Sequence, residues 1–155
     1  MPIADLPVEL EPDAVELWRD CGLTRPWNEP TADLARARRG PSSSVLGAVE
    51  DGQLLGTVMV GHDGHRGWVY YLAVQRDHRG NGLGRELMNA AESWLHERGI
   101  PKLQLMVRAD NVAIIKFYER LGYADQQVAV LGRFLDEDLQ ALRRQAAQPV
   151  GPPST

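Results

Sequence analysis

Six residues, Arg79-Gly80-Asn81-Gly82-Leu83-Gly84, constrain this chain more than any others. They follow WVYYLAV at 68–74, a continuous β-branched and aromatic run. They precede a segment in which Leu83, Leu87, Ala91, Trp94 and Leu95 recur at helical spacing. The order is therefore strand, glycine-rich loop, helix. Closely spaced glycines let the backbone approach a ligand and leave N–H groups pointing outward at the positive end of the helix dipole. Such a loop suits phosphate, the alternative being a glycine-rich turn that binds nothing. Arg76, His78, Arg79 and Arg85 surround it, so a chain with 17 Lys and Arg against 21 Asp and Glu gathers positive charge at this one place.

Two common phosphate loops fit poorly. A nucleoside-triphosphate loop ends in Gly-Lys-Ser or Gly-Lys-Thr, and the sequence has neither Lys-Ser nor Lys-Thr. A dinucleotide loop counted from Gly80 needs its third glycine at 85, which Arg85 occupies, and the chain offers too few strand–helix–strand repeats for that fold.

The segments on either side define an α+β domain. Ile3 to Leu6 reads as a short strand, and Ala14, Leu17, Trp18 and Cys21 share one helical face that Gly22 ends. The stretch LTRPWNEPT is a loop before a short Arg-rich helix over Asp33 to Arg39. SVLGAVE and QLLGTVMVG flank Asp51-Gly52, a hairpin turn signal. Arg98-Gly99-Ile100-Pro101 closes the long helix, and LQLMV at 103–107 is a further strand, parallel to 68–74 because a helix crosses between them. Ile114, Phe117, Tyr118 and Leu121 then mark a helix that Gly122 ends, with a last strand expected within Ala124 to Phe134. The expectation is one domain over 1–140, a mixed central sheet of six or seven strands flanked by about four helices, two on each side. Residues 141–155, rich in proline towards the end, are expected to form a flexible tail.

The net charge of −4 argues against a general nucleic-acid binder. No apolar run approaches the roughly 18 residues of a membrane span. Cys21 is the single cysteine and the chain opens MPIADLPVELE, acidic where a signal peptide is basic, so it is read as cytoplasmic.

At this point the sequence resembles the GCN5-related N-acetyltransferases, whose coenzyme A loop reads Arg or Gln, two residues, Gly, one residue, Gly or Ala. Arg79, Gly82 and Gly84 match its fixed positions. The stretches YYLAVQRDHRGNGLGRELMNAAESWLHERG and RADNVAIIKFYERLGY are similar to the family's two central motifs, and together they cover about a third of the chain. RPWN at 25–28, GTVM at 56–59, DGHRG at 63–67 and YERLGY further resemble small bacterial acetyltransferases of the YpeA type.

The resemblance implies transfer of acetyl from acetyl coenzyme A to a primary amine by direct attack in a ternary complex, with no metal. Arg79, Gly80, Asn81, Gly82, Leu83, Gly84 and Arg85 would cradle the pyrophosphate. Backbone at Leu72, Ala73 and Val74 would pair with the pantetheine arm and polarise the thioester carbonyl. Tyr118 would donate a proton to the departing thiolate; as a residue on an apolar helix face it also reads as core. Asn111 would help hold the cofactor or cap its helix. Trp27 and Glu29 lie where the family builds its acceptor pocket, and Tyr70 joins them. The partners implied are a small-molecule or peptide amine, neither nucleic acid nor membrane, with a homodimer admitted.

His62-Asp63-Gly64-His65 brings two imidazoles and a carboxylate together, but Asp-Gly makes a turn and no third or fourth ligand is in view. One departure matters. Several family members carry a Glu as general base where this chain has Met106, and no carboxylate lies on 68–74. That favours an acceptor of low pKa, with Glu29 or a water held by Tyr70 or Tyr71 as remaining bases. It also supports an alternative, a domain that binds or senses acyl coenzyme A without turnover.

Overall fold

Val45 and Val49 alternate with Leu46 and Ala48 in β2 (Ser43–Glu50), and Thr57 and Met59 with Val58 and Val60 in β3 (Gln53–His62). Each strand therefore buries side chains on both faces of one sheet. Asp51 and Gly52 join them with φ of 51° and 77°, the doubly left-handed turn that the dipeptide predicts. In the computed structural model, which describes residues 2–147, β1 (Ile3–Asp5) pairs with β2, and β3 pairs with β4 (Gly67–Val74), all antiparallel. β4 pairs in parallel with β5 (Leu103–Gln104), giving a mixed sheet in the order β1-β2-β3-β4-β5.

Helices cover both faces. α1 (Glu11–Asp20) and α2 (Pro30–Arg39) bury Trp18, Leu17, Leu34 and Ala37 against Val45, Leu54 and Ala73. On the opposite face α3 (Leu83–Glu97) buries Leu87, Met88, Ala91 and Leu95 against Leu46, Val58, Val60 and Val69. Tyr118 and Leu121, at the end of α4 (Val112–Arg120), and Tyr123 beyond it pack onto this second core. α3 ends as the sequence predicts. Gly99 takes φ 73° while the Ile100 N–H donates to Leu95 O at 3.1 Å, and the Arg98 guanidinium lies 3.6 Å from the Trp94 ring centroid.

Three expectations are corrected. The sheet has five strands, not six or seven: β5 stops at Gln104 instead of Val107, and among the described residues 124–134 form no strand. The Tyr123 hydroxyl donates to Glu92 and Lys102 to Gln126, which ties the chain to α3 and to the start of β5, and Gln127 then turns with φ 54°. Val128, Val130 and Leu131 are left 74%, 65% and 92% exposed, because strand propensity describes fit to a pleated, half-buried surface and none lies beside them. α2 starts at Pro30 and not Asp33, since the Glu29 carboxylate accepts from Thr31 N at 3.3 Å and proline suits the first helical position. A fifth helix, α5 (Glu137–Ala147), runs across the expected boundary at 140 and into the expected tail, whose residues 148–155 lie outside the described ones.

Glycine at 56 is required by packing. A Cβ there would stand 2.9 Å from the Ala73 carbonyl oxygen in β4 and 2.9 Å from a Leu87 methyl in α3. Gly56→Ala should therefore cost about 1–3 kcal/mol in urea unfolding. Gly40→Ala, at a position with open space, should stay within about 0.5 kcal/mol of wild type. Equal stabilities for the two variants would refute this account of the β3–β4–α3 contact.

Candidate active site

Two irregularities of β4 build the site. On its inner edge Thr57 faces Ala73 while Met59 faces Tyr70, so Tyr71 and Leu72 share the place opposite Val58. This is a β-bulge whose first residue is left-handed, with Tyr71 at φ 52°. A tyrosine held there costs about 1–3 kcal/mol, and such a bulge re-aims the backbone groups beside it. On its outer edge β4 pairs with β5 only at Gly67↔Leu103 and Trp68↔Gln104. Beyond Trp68 the strands part, and the outer edge of β4 through Leu72, Ala73 and Val74 has no ladder partner among the described residues.

That edge leads into the glycine loop. Gln75 N donates to Leu55 O at 2.8 Å, and one helical turn over Arg76–His78 redirects the chain. Gly80 and Gly82 take φ of 82° and 85° with nothing within 4 Å of where a Cβ would stand. Gly82 begins α3 without a side-chain cap, and the first helical bond runs from Glu86 N to Gly82 O. The N–H groups of Leu83, Gly84 and Arg85 therefore have no helical acceptor, and the dipole makes their surroundings positive. The exposed Asn81 and Arg85 flank them. At Gly84 a Cβ would lie 3.2 Å from Phe117 Cζ, so this glycine seats α4 against the loop.

Arg79 plays a part the sequence did not suggest. Its Nε donates to Val74 O at 3.1 Å and its Nη2 to Cys21 Sγ at 3.3 Å, so the guanidinium braces the loop against the end of β4 and against α1.

Tyr118 stands edge-on to Phe117 and Tyr123, with ring centroids 5.1 and 5.8 Å away. Burial pushes its phenol up to about 12, so it is protonated throughout the neutral range. Tyr70 is half exposed; burial, and after it the charge of Asp63, raises its pKa. Asn111 caps α4, its Oδ1 accepting from Ile114 N at 3.3 Å. Glu29 caps α2, and the partly buried Trp27 carries the Arg143 guanidinium of α5 4.8 Å from its ring centroid. Met106 lies past β5, half exposed. Asp63 serves a turn: its Oδ1 accepts from Arg66 N at 2.7 Å and His65 N at 2.9 Å, which pulls its carboxyl down to about 2.

The structure thus brings the Leu72–Val74 edge, the loop and α4 together, and places Trp27 and Glu29 on the α1–α2 connection. Sequence reasoning missed Trp18, Thr57 and Asp33 as supports of β4. Thr57 is the only buried polar residue among those described; it accepts from Trp18 Nε1 at 2.8 Å and donates to Tyr71 O at 3.0 Å. The one signal the sequence offers is a threonine inside the apolar run LLGTVMV.

Comparison with known proteins agrees with this fold. The ribosomal-protein-alanine N-acetyltransferase of Brucella melitensis biovar Abortus 2308 superposes with a TM-score of 0.67 at 24% identity, over 86% of this chain and 100% of that one. An aminoglycoside antibiotic 6'-N-acetyltransferase from Acinetobacter haemolyticus gives 0.70 at 17% identity, over 88% and 100%. The aminoglycoside acetyltransferase AAC(6')-Iy, in complex with a bisubstrate analogue of coenzyme A, gives 0.73 at 15% identity, over 86% and 97%. At these identities the likeness is one of fold. The sequence model of the acetyltransferase (GNAT) family matches residues 9–123, most of the chain, and the protein therefore belongs to that family.

Proposed function

We propose that this protein is an N-acetyltransferase that takes acetyl from acetyl coenzyme A and delivers it to a primary amine by direct attack in a ternary complex. The observation that carries the proposal is continuity: the outer edge of β4, without a ladder partner among the described residues, leads through the glycine loop to the uncapped N-terminus of α3. A molecule with amides along one arm and a pyrophosphate at its end suits such an edge, since strand-like pairing can hold the amides and free N–H groups the phosphates. Leu72, Ala73 and Val74 would pair with the arm, residues 79–85 would hold the pyrophosphate, and Asn111 would secure the start of α4 beside it. The neighbours named above are N-acetyltransferases by name, which supports an amine as acceptor.

Within this reading the β4 N–H groups beside the bulge polarise the thioester carbonyl, and fixed dipoles of that kind supply much of the stabilisation in acyl transfer. Tyr118 meets the charge developing on the leaving sulfur. Acetyl-dependent release of free thiol with a mixed amine panel tests the proposal; binding of coenzyme A with no turnover across the panel would instead favour a sensing domain.

Three results are expected. Tyr118→Phe keeps the ring contacts and should lower turnover on the order of a hundredfold with little change in melting temperature. Because the phenol ionises only near pH 12, an alkaline loss of turnover below pH 10 should persist unchanged in this variant. Wild-type turnover in Tyr118→Phe would reduce Tyr118 to a packing role.

Arg79→Ala should weaken coenzyme A binding by about 1–3 kcal/mol, here because the loop loses its brace to Val74 and Cys21. Calorimetry giving an unchanged Kd would count against that.

The third result concerns the acceptor. A lysine near pKa 10.4 is about one part in a thousand neutral at pH 7.5, a deficit of roughly 4 kcal/mol, whereas an α-amine near 7.8 is already about one-third neutral. With Met106 where a carboxylate would serve as base, α-amines should be the better acceptors. Matched peptides, one with only its N-terminus free and one with only a lysine free, assayed from pH 6 to 10, decide this. A clear lysine preference at neutral pH would contradict it and direct attention to Glu29→Gln.

A further inference from the structure

We propose that Asp33 and Tyr71 form a positioning clamp for the acetyl-transfer step, in which the Tyr71 hydroxyl, held by the Asp33 carboxylate, fixes the left-handed bulge that aims the β4 N–H groups at the reacting carbonyl. The inference rests on the acetyl-transfer reading above.

A tyrosine with positive φ is a backbone outlier and persists only where its surroundings over-determine it. Here Tyr71 is held at its ring, its hydroxyl and its carbonyl. Its ring stacks on that of Trp18, with centroids 3.9 Å apart and planes 15° from parallel. Its hydroxyl donates to Asp33 Oδ2 at 2.7 Å, and its carbonyl accepts from the Thr57 hydroxyl at 3.0 Å. Thr57 is in turn oriented by the Trp18 indole N–H at 2.8 Å. Ring and carbonyl are thus referred to α1 and β3, and the hydroxyl to α2.

The Asp33 link differs from the others. Stacking and the Thr57 bond locate the ring and the carbonyl, but rotation of the peptide around a bulge remains soft until the far end of the side chain is also held. Asp33 supplies that third point. Its second oxygen pairs with Arg36 one turn along α2, so both carboxylate oxygens are engaged and the side chain is held in place from two sides. Burial, and then the hydrogen bond to Asp33, raises the Tyr71 phenol well above its ordinary range, which keeps it a donor. Glu29, the cap of α2, stands one turn before Asp33, so the same bond ties the bulge to the connection on which an acceptor is expected to sit.

The test uses the full chain with Tyr71→Phe, Asp33→Ala and Asp33→Asn. In the first two, kcat should fall about tenfold, since small misplacements of polarising groups are costly, while KM for acetyl coenzyme A stays within about twofold. Asp33→Asn keeps an oxygen for the hydroxyl and should recover most of the loss. The readout that a packing role would not move is ligand selectivity. S-acetonyl coenzyme A presents a ketone that cannot be transferred, and its binding advantage over S-propyl coenzyme A reports the aim of the β4 N–H groups. That advantage should shrink about tenfold in Tyr71→Phe and Asp33→Ala, with S-propyl coenzyme A bound as in wild type. Variants that lose only melting temperature and keep the ketone advantage overturn the clamp, as do variants that match wild type in both kcat and selectivity. A wild-type protein that binds none of these coenzyme A compounds overturns the acetyl-transfer reading, and the clamp with it.

Discussion

Thr57 carries a hydroxyl into a core that is otherwise apolar, and the placement of β4 depends on it. A buried hydroxyl is tolerated only if it is hydrogen-bonded, and this one is used in both directions, accepting from the Trp18 indole and donating to the Tyr71 carbonyl. A strand, a helix and a bulge on a second strand therefore meet at one oxygen. Without it the indole N–H of a fully buried Trp18 would be stranded, at a cost of about 1–3 kcal/mol, and the bulge would lose the bond that fixes its carbonyl. Since the same strand supplies the edge and the entry to the glycine loop, the bond that fixes the bulge also bears on where that edge leads.

The loop shows how an acidic chain gathers positive potential at one place. The positive end of α3 is available because Gly82 leaves it uncapped, which makes it independent of the net charge of the molecule. Arginines enter differently. Arg79 spends its donors on Val74 and Cys21, stiffening the junction between strand and loop, while Arg85 remains exposed beside the free N–H groups. Backbone dipoles held rigidly bind an anion without ordering a long side chain, whose rotamer entropy can cost up to about 2 kcal/mol.

Elements with a strong period or a specific turn chemistry were legible in the sequence. Leu83, Leu87, Ala91 and Leu95 locate α3 because their spacing and their burial have the same cause, and Asp51-Gly52 locates the hairpin because few other dipeptides accept two positive φ values. The loop was legible for the same reason. What was not legible depends on partners distant in sequence. WVYYLAV reads as an unbroken strand, and nothing local reveals that Tyr71 turns left-handed, because the groups that hold it lie at positions 18, 33 and 57. The segment beyond Tyr123 has strand composition, yet its course is set by contacts of Tyr123 and Gln126 with Glu92 and Lys102. Asn111 takes the capping role that its place before an apolar helix already offers, whereas nothing local shows that Glu29, placed with the acceptor pocket, caps α2.

Proton bookkeeping bears on the carboxylate that this chain lacks at Met106. A phenol near 12 holds its proton more firmly than a thiol near 8.5, so complete transfer from Tyr118 to the leaving thiolate is uphill by about 5 kcal/mol. In the proposed reaction Tyr118 therefore acts chiefly as a hydrogen-bond donor while charge builds on sulfur. The proton that finally resides on the thiol must balance the one lost by nitrogen, which turns strongly acidic once it has bonded to carbon. A tyrosine that has begun to release its proton is a strong base at that moment, and it can take the nitrogen's proton as its own passes to sulfur. In that proposed reaction, burial of Tyr118 would favour a shared proton over a free tyrosinate, and would relieve the site of a separate base only when the amine arrives already neutral.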